Sequence, residues 1–355
     1  MNLTRRTLTA AALAAAAAPA ALAKDKPPAG PALKPLGNPL VIAHRGASGE
    51  RPEHTILAYK LAIALGADFI EPDCVVSKDG HLVVRHENEI GGTTNIATRP
   101  EFAARKTTKT VDGQQVTGWF VEDFTLAELK TLRARERLPQ LRAVSAAFND
   151  QEPIVTYQEV VDLAKAESLR LGRVIGTYPE MKHPAYLASI GLPIEGRLLD
   201  ALKKNGLNTP TSPVFVQCFE VKPLKTFHNI GGRAPRVMLV GSGPGPVDVK
   251  SAAGVKAIAA FAEGIGPELP LVVPVVDGAL GPPSNLVKDA HANGLKVHPW
   301  TVRAENFFLP KALQRGANPS AQGDVDAMYR AMFAAGVDGL FSDFPGLCAR
   351  VRASL

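Results

Sequence analysis

Polar residues recur where the short apolar runs of this chain end. His44-Arg45 closes the run that starts at Val41, and Glu71 and Asp73 stand two apart in the next one. In an extended strand that spacing sends both carboxylates to the same face. His86 closes a third stretch, Glu180 and Lys182 repeat the two-residue spacing, and Gln217, Phe219, Trp300 and Asp343 mark later runs. Three carboxylates from two strands suit a hard divalent cation such as Ca²⁺ or Mg²⁺, which takes oxygen ligands and leaves positions for water or substrate. Two acids on one strand face repel each other unless a cation lies between them. Glu71, Asp73 and Glu180 therefore read as metal ligands rather than as caps or surface ion-pair partners. Histidines on opposite sides of such a centre can serve as general base and general acid, the roles expected of His44 and His86. Arg45 and Lys182 can neutralise a phosphoryl group, and Gln217, Phe219 and Trp300 complete the expected substrate-binding set. His54, His81, His183, His228, His291 and His298 acquire no role from sequence.

The elements that would position these residues alternate along the chain. Eight apolar runs read as strands: Val41–His44, Phe69–Cys74, Val174–Tyr178, Val214–Phe219, Arg236–Val240, a weak one at Glu263–Gly266, Val297–Val302 and Leu340–Asp343. Between them Thr55–Leu65, Thr156–Ala166, Pro193–Lys204 and Leu286–Ala292 read as helices; Leu57, Leu61 and Leu65 form a stripe that Gly66 ends. Alternating β and α units imply a parallel barrel or an open doubly wound sheet, and eight strands favour a TIM (β/α)₈ barrel with its polar strand ends on the catalytic face. Leu269–Val276 is a ninth strand candidate. One connection differs. Only Ser77-Lys78-Asp79-Gly80 joins Phe69–Val76 to His81–His86, too short for a parallel crossover, so the pair must be a hairpin turning at Asp79-Gly80. Pairing outward from that turn returns His86 to the neighbourhood of Asp73. From Glu87 to about Asn149 the rhythm stops. This stretch, including the helix-like FTLAELKTLRARERL, reads as an insertion overhanging the rim beside His86.

Composition narrows the setting. The chain has 355 residues, 46% hydrophobic and 21% charged, which suits a globular protein. Residues 1–23 read as a secretory signal peptide: Arg5 and Arg6, an alanine-rich apolar stretch, then Ala21-Leu22-Ala23 as a cleavage site. Thr4-Arg5-Arg6-Thr7-Leu8 also fits a twin-arginine signal. A periplasmic or secreted location follows as an expectation. Residues 24–38, rich in Pro and Lys, read as a leader or linker, and 39–355 as the catalytic domain. Removing Arg5 and Arg6 from the 40 basic residues leaves 38 against 34 acidic, a net charge of +4. Those basic residues are dispersed, which suits a small anionic substrate and not a nucleic-acid partner. No stretch of the body reaches the length of a membrane span once the signal is removed, and the sequence sets no oligomeric state. The three cysteines cannot all pair, and Cys74 and Cys218 read as buried free thiols behind the barrel wall.

The ordered set His44-Arg45-Gly46-Ala47, Pro52-Glu53-His54-Thr55, Glu71-Pro72-Asp73 and Val83-Val84-Arg85-His86 resembles the glycerophosphodiester phosphodiesterase family. Gln217-Cys218-Phe219-Glu220, Glu263 to Pro267, His298 to Arg303 and Phe341 to Pro345 continue the resemblance over nearly all of the chain beyond the signal, closest to the periplasmic branch. The resemblance implies a TIM barrel, hydrolysis of glycerophosphodiesters to glycerol 3-phosphate and an alcohol, and His44 and His86 as the acid–base pair. It also implies Ca²⁺ or Mg²⁺ on Glu71, Asp73 and Glu180, with Arg45 and Lys182 on the phosphate. Two departures stand out: Glu87 follows the second histidine where Asp is common, and Tyr178-Pro179 precedes the third acid. The alternatives are a phosphodiesterase acting on inositol or lysophospholipid substrates, and a non-catalytic surface or binding protein that reuses the fold. The intact set of acids and histidines argues against the latter.

Overall fold

The computed structural model describes residues 33–355. The expected signal peptide and most of the leader lie outside the described residues. Eight parallel strand positions close a barrel. They are β1 (Leu40–His44), β2 (Phe69–Glu71, resuming as Asp73–Val76), β3 (Gly176–Thr177, resuming as Glu180–Met181) and β4 (Val216–Cys218), then β5 (Arg236–Val240), β6 (Gly264–Pro267), β7 (Lys296–Val297) and β8 (Gly339–Ser342). Parallel pairing runs β8–β1–β2–β3 on one side and β2–β3–β4–β5–β6–β7 on the other. After His298 and Pro299 the chain of β7 continues by single parallel bridges, Trp300 with Glu268 and Val302 with Ser342, which complete the ring.

Alternation decides which side chains enter the barrel. Val41 and Ala43 of β1 pack outward in the large core shared with the helices, while Ile42 points inward to meet Phe69, Tyr178, Val237 and Phe341. This inner cluster, joined by Phe215 and a Tyr178 hydroxyl to His298 Nδ1 contact of 2.8 Å, fills the barrel below the strand ends. His298 is thus a satisfied core histidine. Gly176 is required here, because a Cβ would fall 2.2 Å from the Phe69 ring.

The helices start where polar caps allow. Thr55 accepts from the Ala58 amide at 3.0 Å to begin the helix Ile56–Ala64, and Thr156 with Glu159 forms a capping box before Tyr157–Leu171, which ends at Gly172 in the left-handed region. The hairpin is present: Leu82–Val84 runs antiparallel to Asp73–Val76, with Cys74 opposite Val84. All three cysteines are buried and free.

Two expectations need correction. The ninth strand candidate, Leu269–Val276, opens as a helical turn at Leu269–Val272, because Pro270 at its start presets helical backbone; only Val275–Val276 forms a strand, in a two-stranded hairpin outside the barrel. The helix expected over FTLAELKTLRARERL shrinks to Leu126–Leu129. Its later apolar residue Leu132 instead joins a separate small core with Val75, Val83, Ile90, Phe102, Trp119, Phe124 and Ile154. That core packs the inserted segment against Val75 and Val83 of the β2 hairpin, and the segment also carries a hairpin of its own, Thr107–Val111 with Gln114–Gly118.

Candidate active site

Strand register assembles the site. His44 lies beside Glu71 on the β1–β2 ladder. Asp73 pairs with Glu180, and Glu180 with Gln217, so three side chains line up across β2, β3 and β4. Pro72 and Pro179 interrupt β2 and β3 immediately before these acids. Neither can donate a backbone proton, but their carbonyls accept from the Glu180 and Gln217 amides at 3.0 and 2.9 Å, and the ladder survives both breaks.

One cleft at this end encloses about 80 Å³ and is lined by His44, Arg45, Glu71, His86, Glu180, Gln217, Phe219 and Trp300, together with Thr301 and Arg303. The structure brings Asp73 and Lys182 to the same place through direct contacts: Asp73 Oδ2 lies 3.4 Å from Arg45 Nε, and Lys182 Nζ lies 3.0 Å from Glu180 and 3.2 Å from His86 Nε2. Every residue expected at the site is therefore gathered there. Phe219 and Trp300 meet edge to face on one wall, at 5.4 Å between ring centroids.

The two histidines are held alike. His44 Nδ1 lies 2.6 Å from Asp343 Oδ1, and Arg45 Nε approaches its Nε2 at 3.2 Å. His86 Nδ1 contacts Glu87 Oε1, and Lys182 approaches its Nε2. A carboxylate on Nδ1 and a cationic donor at Nε2 select one tautomer: Nδ1 carries the proton, and the Nε2 lone pair accepts from the cation. Burial, with the adjacent Arg45 charge, pushes His44 down to about 4; burial, with Arg45 and Lys182, pushes His86 down to about 3.

The three acids sit in different electrostatic surroundings. One ligand atom from each of Glu71, Asp73 and Glu180 lies within 4.8 Å of the others, and all three residues are buried. Burial and the neighbouring Asp73 and Glu180 raise Glu71 well above the usual carboxylate range, and burial pushes Glu180 up to about 8. Burial acts upward on Asp73 too, but His86, Lys182 and His54 hold it well below the usual range. Asp73 Oδ1 is buried with no protein partner, as is Gln217 Oε1. An unpartnered carboxylate oxygen between two acids that resist ionisation fits a missing positive charge, so the donor set matches a hard divalent cation.

Several contributors were not assigned from sequence. His54 Nε2 is 2.9 Å from Asp73 Oδ2 and its Nδ1 is 2.8 Å from the Tyr59 hydroxyl. His54 thus orients a carboxylate of the triad, as outer partners of metal ligands commonly do. Glu53 holds Arg45 at 3.1 Å. Asp343 anchors His44. Arg303 lines the cleft while its Nε lies 3.1 Å from Asp343. The motif Pro52-Glu53-His54 was the available signal for the first two. Glu220, noted beside Phe219, does not line the cleft.

Aligned cations, acids and imidazoles around one small space suit displacement at phosphorus, the work of a phosphodiester hydrolase. The chain belongs to the glycerophosphoryl diester phosphodiesterase family, whose model matches residues 44–347. It is 37% identical to a glycerophosphodiester phosphodiesterase of Arabidopsis thaliana over 335 residues, covering 88% of this chain and 86% of the relative. A glycerophosphodiester phosphodiesterase of Haemophilus influenzae is 29% identical over 341 residues, 86% of this chain and 87% of that one. Among solved structures, an Oleispira antarctica phosphodiesterase in complex with the product sn-glycerol-3-phosphate superposes with a TM-score of 0.59 at 21% identity, covering 88% of this chain and 96% of that one. A glycerophosphodiester phosphodiesterase from Agrobacterium tumefaciens gives 0.56 at 18% identity, over 87% and 98%. These two likenesses speak for the barrel fold.

Proposed function

We propose that this protein hydrolyses glycerophosphodiesters to sn-glycerol 3-phosphate and a free alcohol, with His44 and His86 as the acid–base pair. The observation that carries this is the matched pair of histidines lining one cleft, each anchored at Nδ1 by a carboxylate and met at Nε2 by a cationic side chain suited to a phosphate. Arg45 and Lys182 flank that cleft and supply charge for an anionic phosphodiester. Burial is the larger cause of the low histidine pKa values, and these cations add to it. An anion bound between them offsets their repulsion, so substrate binding raises the histidine pKa values toward the range where one can donate a proton. Phe219 and Trp300 shield the organic portion of the substrate from water. Glu71, Asp73 and Glu180 would hold the divalent cation, Ca²⁺ or Mg²⁺, which would supply positive charge against the phosphoryl group and make a nearby hydroxyl easier to deprotonate.

The test is release of glycerol 3-phosphate by the protein lacking residues 1–23. Glycerophosphocholine and glycerophosphoinositol are expected to yield it, while lysophosphatidylcholine is expected to be poor. A preference for lysophosphatidylcholine would transfer the reading to lysophospholipids, and no release from any of the three would refute hydrolysis.

The site is proposed to work in the periplasm or outside the cell, the destination that residues 1–23 support. Exported protein is expected to begin at Lys24, as read by N-terminal sequencing. Replacing Arg5 and Arg6 with Lys stops export if the twin-arginine route is used and leaves it intact if not. Exported material still starting at Met1 would contradict the signal.

A further inference from the structure

Both carboxylates that anchor the histidines are gripped from behind by arginines of the inserted segment. Arg142 places Nη2 2.5 Å from Asp343 Oδ2, with Nε 2.6 Å from Glu305 and Nη1 3.0 Å from the Ser48 carbonyl. Arg137 places Nη1 and Nη2 2.9 and 2.5 Å from the two oxygens of Glu87, while Nε and Nη2 take Glu53 at 2.9 and 2.7 Å. Each arginine is thus one residue removed from one histidine: Arg142–Asp343–His44 and Arg137–Glu87–His86. The two lie five positions apart on a stretch that ties itself down. The Glu136 carboxylate contacts the Ser145 hydroxyl and accepts from the Leu138 amide at 2.8 Å, and Asn149 accepts from the Glu136 amide at 2.7 Å.

We propose that Arg137 and Arg142 are positioning residues for the two histidines, so that the inserted segment sets imidazole orientation on both sides of the cleft at once. This rests on the reading of His44 and His86 as the acid–base pair. A carboxylate that accepts from a planar guanidinium on one side and from Nδ1–H on the other has its plane fixed, and it fixes the ring in turn. The two dyads are unequally supported. Asp343 keeps a second cation, Arg303 at 3.1 Å, when Arg142 is removed, whereas Glu87 has no other arginine or lysine within ion-pair distance among the described residues. Arg137 should therefore matter more.

The experiment is a pair of crossed double-mutant cycles on the metal-loaded enzyme with glycerophosphocholine. Arg137→Ala and Arg142→Ala are each expected to lower kcat by roughly 10–100-fold, the usual effect of removing an outer partner of a functional group, with KM within about twofold. Residues that act through one another are not additive. Arg142→Ala should add less than about twofold to His44→Ala but its full loss to His86→Ala, and Arg137→Ala should show the reverse. Equal additivity in both backgrounds, or no loss in either single variant, overturns the proposal. Should the alanine variants fail to fold by circular dichroism, Arg137→Lys and Arg142→Lys keep the charge but lose the planar fork, and the same crossed pattern is required of them. A second readout does not depend on turnover. In ¹⁵N NMR of the imidazoles, Arg142→Ala should disturb the tautomer signature of His44 and leave His86 unchanged, and Arg137→Ala should disturb His86 more strongly than His44, which it reaches only through Glu53 and Arg45. If the parent enzyme releases no glycerol 3-phosphate but this paired NMR response appears, the functional reading fails and the positioning stands; unchanged imidazole signals in both variants sink the positioning itself.

Discussion

Chelation is expected to abolish hydrolysis, by about 10²-fold or more, and Ca²⁺ or Mg²⁺ to restore it, because several kcal/mol of charge stabilisation is withdrawn with the cation. The same treatment should reveal itself in stability. Glu71 and Glu180 both bind their protons more tightly in the folded chain than carboxylates ordinarily do, Glu180 up to about 8. A raised acid favours the folded state below its unfolded value, and this advantage is lost as pH climbs through the folded value. Metal-free protein should therefore lose thermal stability between about pH 4.5 and pH 8. Asp73, held well below the usual range, acts in the opposite sense and only in stronger acid. Saturating Ca²⁺ or Mg²⁺ should flatten this decline and raise Tm by several degrees, in keeping with about 2.7 kcal/mol at a hundredfold excess over Kd. Glu71→Ala should lose both activity and the metal-dependent rise in Tm. Full activity of Glu71→Ala in chelator would remove these acids from the mechanism.

The second large effect concerns the histidines. A glycerophosphodiester carries a hydroxyl next to its esterified carbon, an internal nucleophile of high effective molarity. In the expected route one histidine takes the proton of the glycerol 2-hydroxyl as it attacks phosphorus. The other protonates the departing alcohol, and water then opens the cyclic phosphate. His44→Ala and His86→Ala should each cost roughly 10²–10⁴-fold in kcat on choline or ethanolamine diesters. A nitrophenyl diester of glycerol phosphate has an acidic leaving group that departs without a proton. On that substrate the acid histidine becomes nearly dispensable while the base remains essential, so the two variants should separate. If both stay equally impaired, the division of roles is wrong. Normal turnover of a substrate lacking the 2-hydroxyl would replace the internal nucleophile with water.

Much of this was legible because it obeys short periods. Glu71 and Asp73, or Glu180 and Lys182, can be paired by counting in twos, and the Asp79-Gly80 turn located His86 without any long-range information. The eight strands were visible because burial on both faces makes each a compact apolar run. What stayed hidden depends on contacts between distant segments. His54 looked idle because its value lies in a bond to Asp73, nineteen positions away and reached only once the barrel closes. Arg137 and Arg142 sit where no periodicity exists, and an arginine in an irregular segment is ordinarily solvated. The failed helix after Phe124 has a similar origin: its helix-forming residues are outweighed by Leu132 joining a small tertiary core.

The pairing of His44 with Asp343 spans 299 positions. This histidine–carboxylate pair therefore unites the first barrel strand with the end of the last, where β8 lies beside β1. Contacts of such sequence separation carry the largest loop-closure cost and form late in folding. A ribosome or a translocation pore delivers the chain from its N-terminus, so every intermediate still missing the final strand holds an imidazole without its anchor. On the proposed roles, catalytic competence is tied to completion of the chain: a protein truncated before residue 343 can retain most of its barrel and still lack an oriented base or acid.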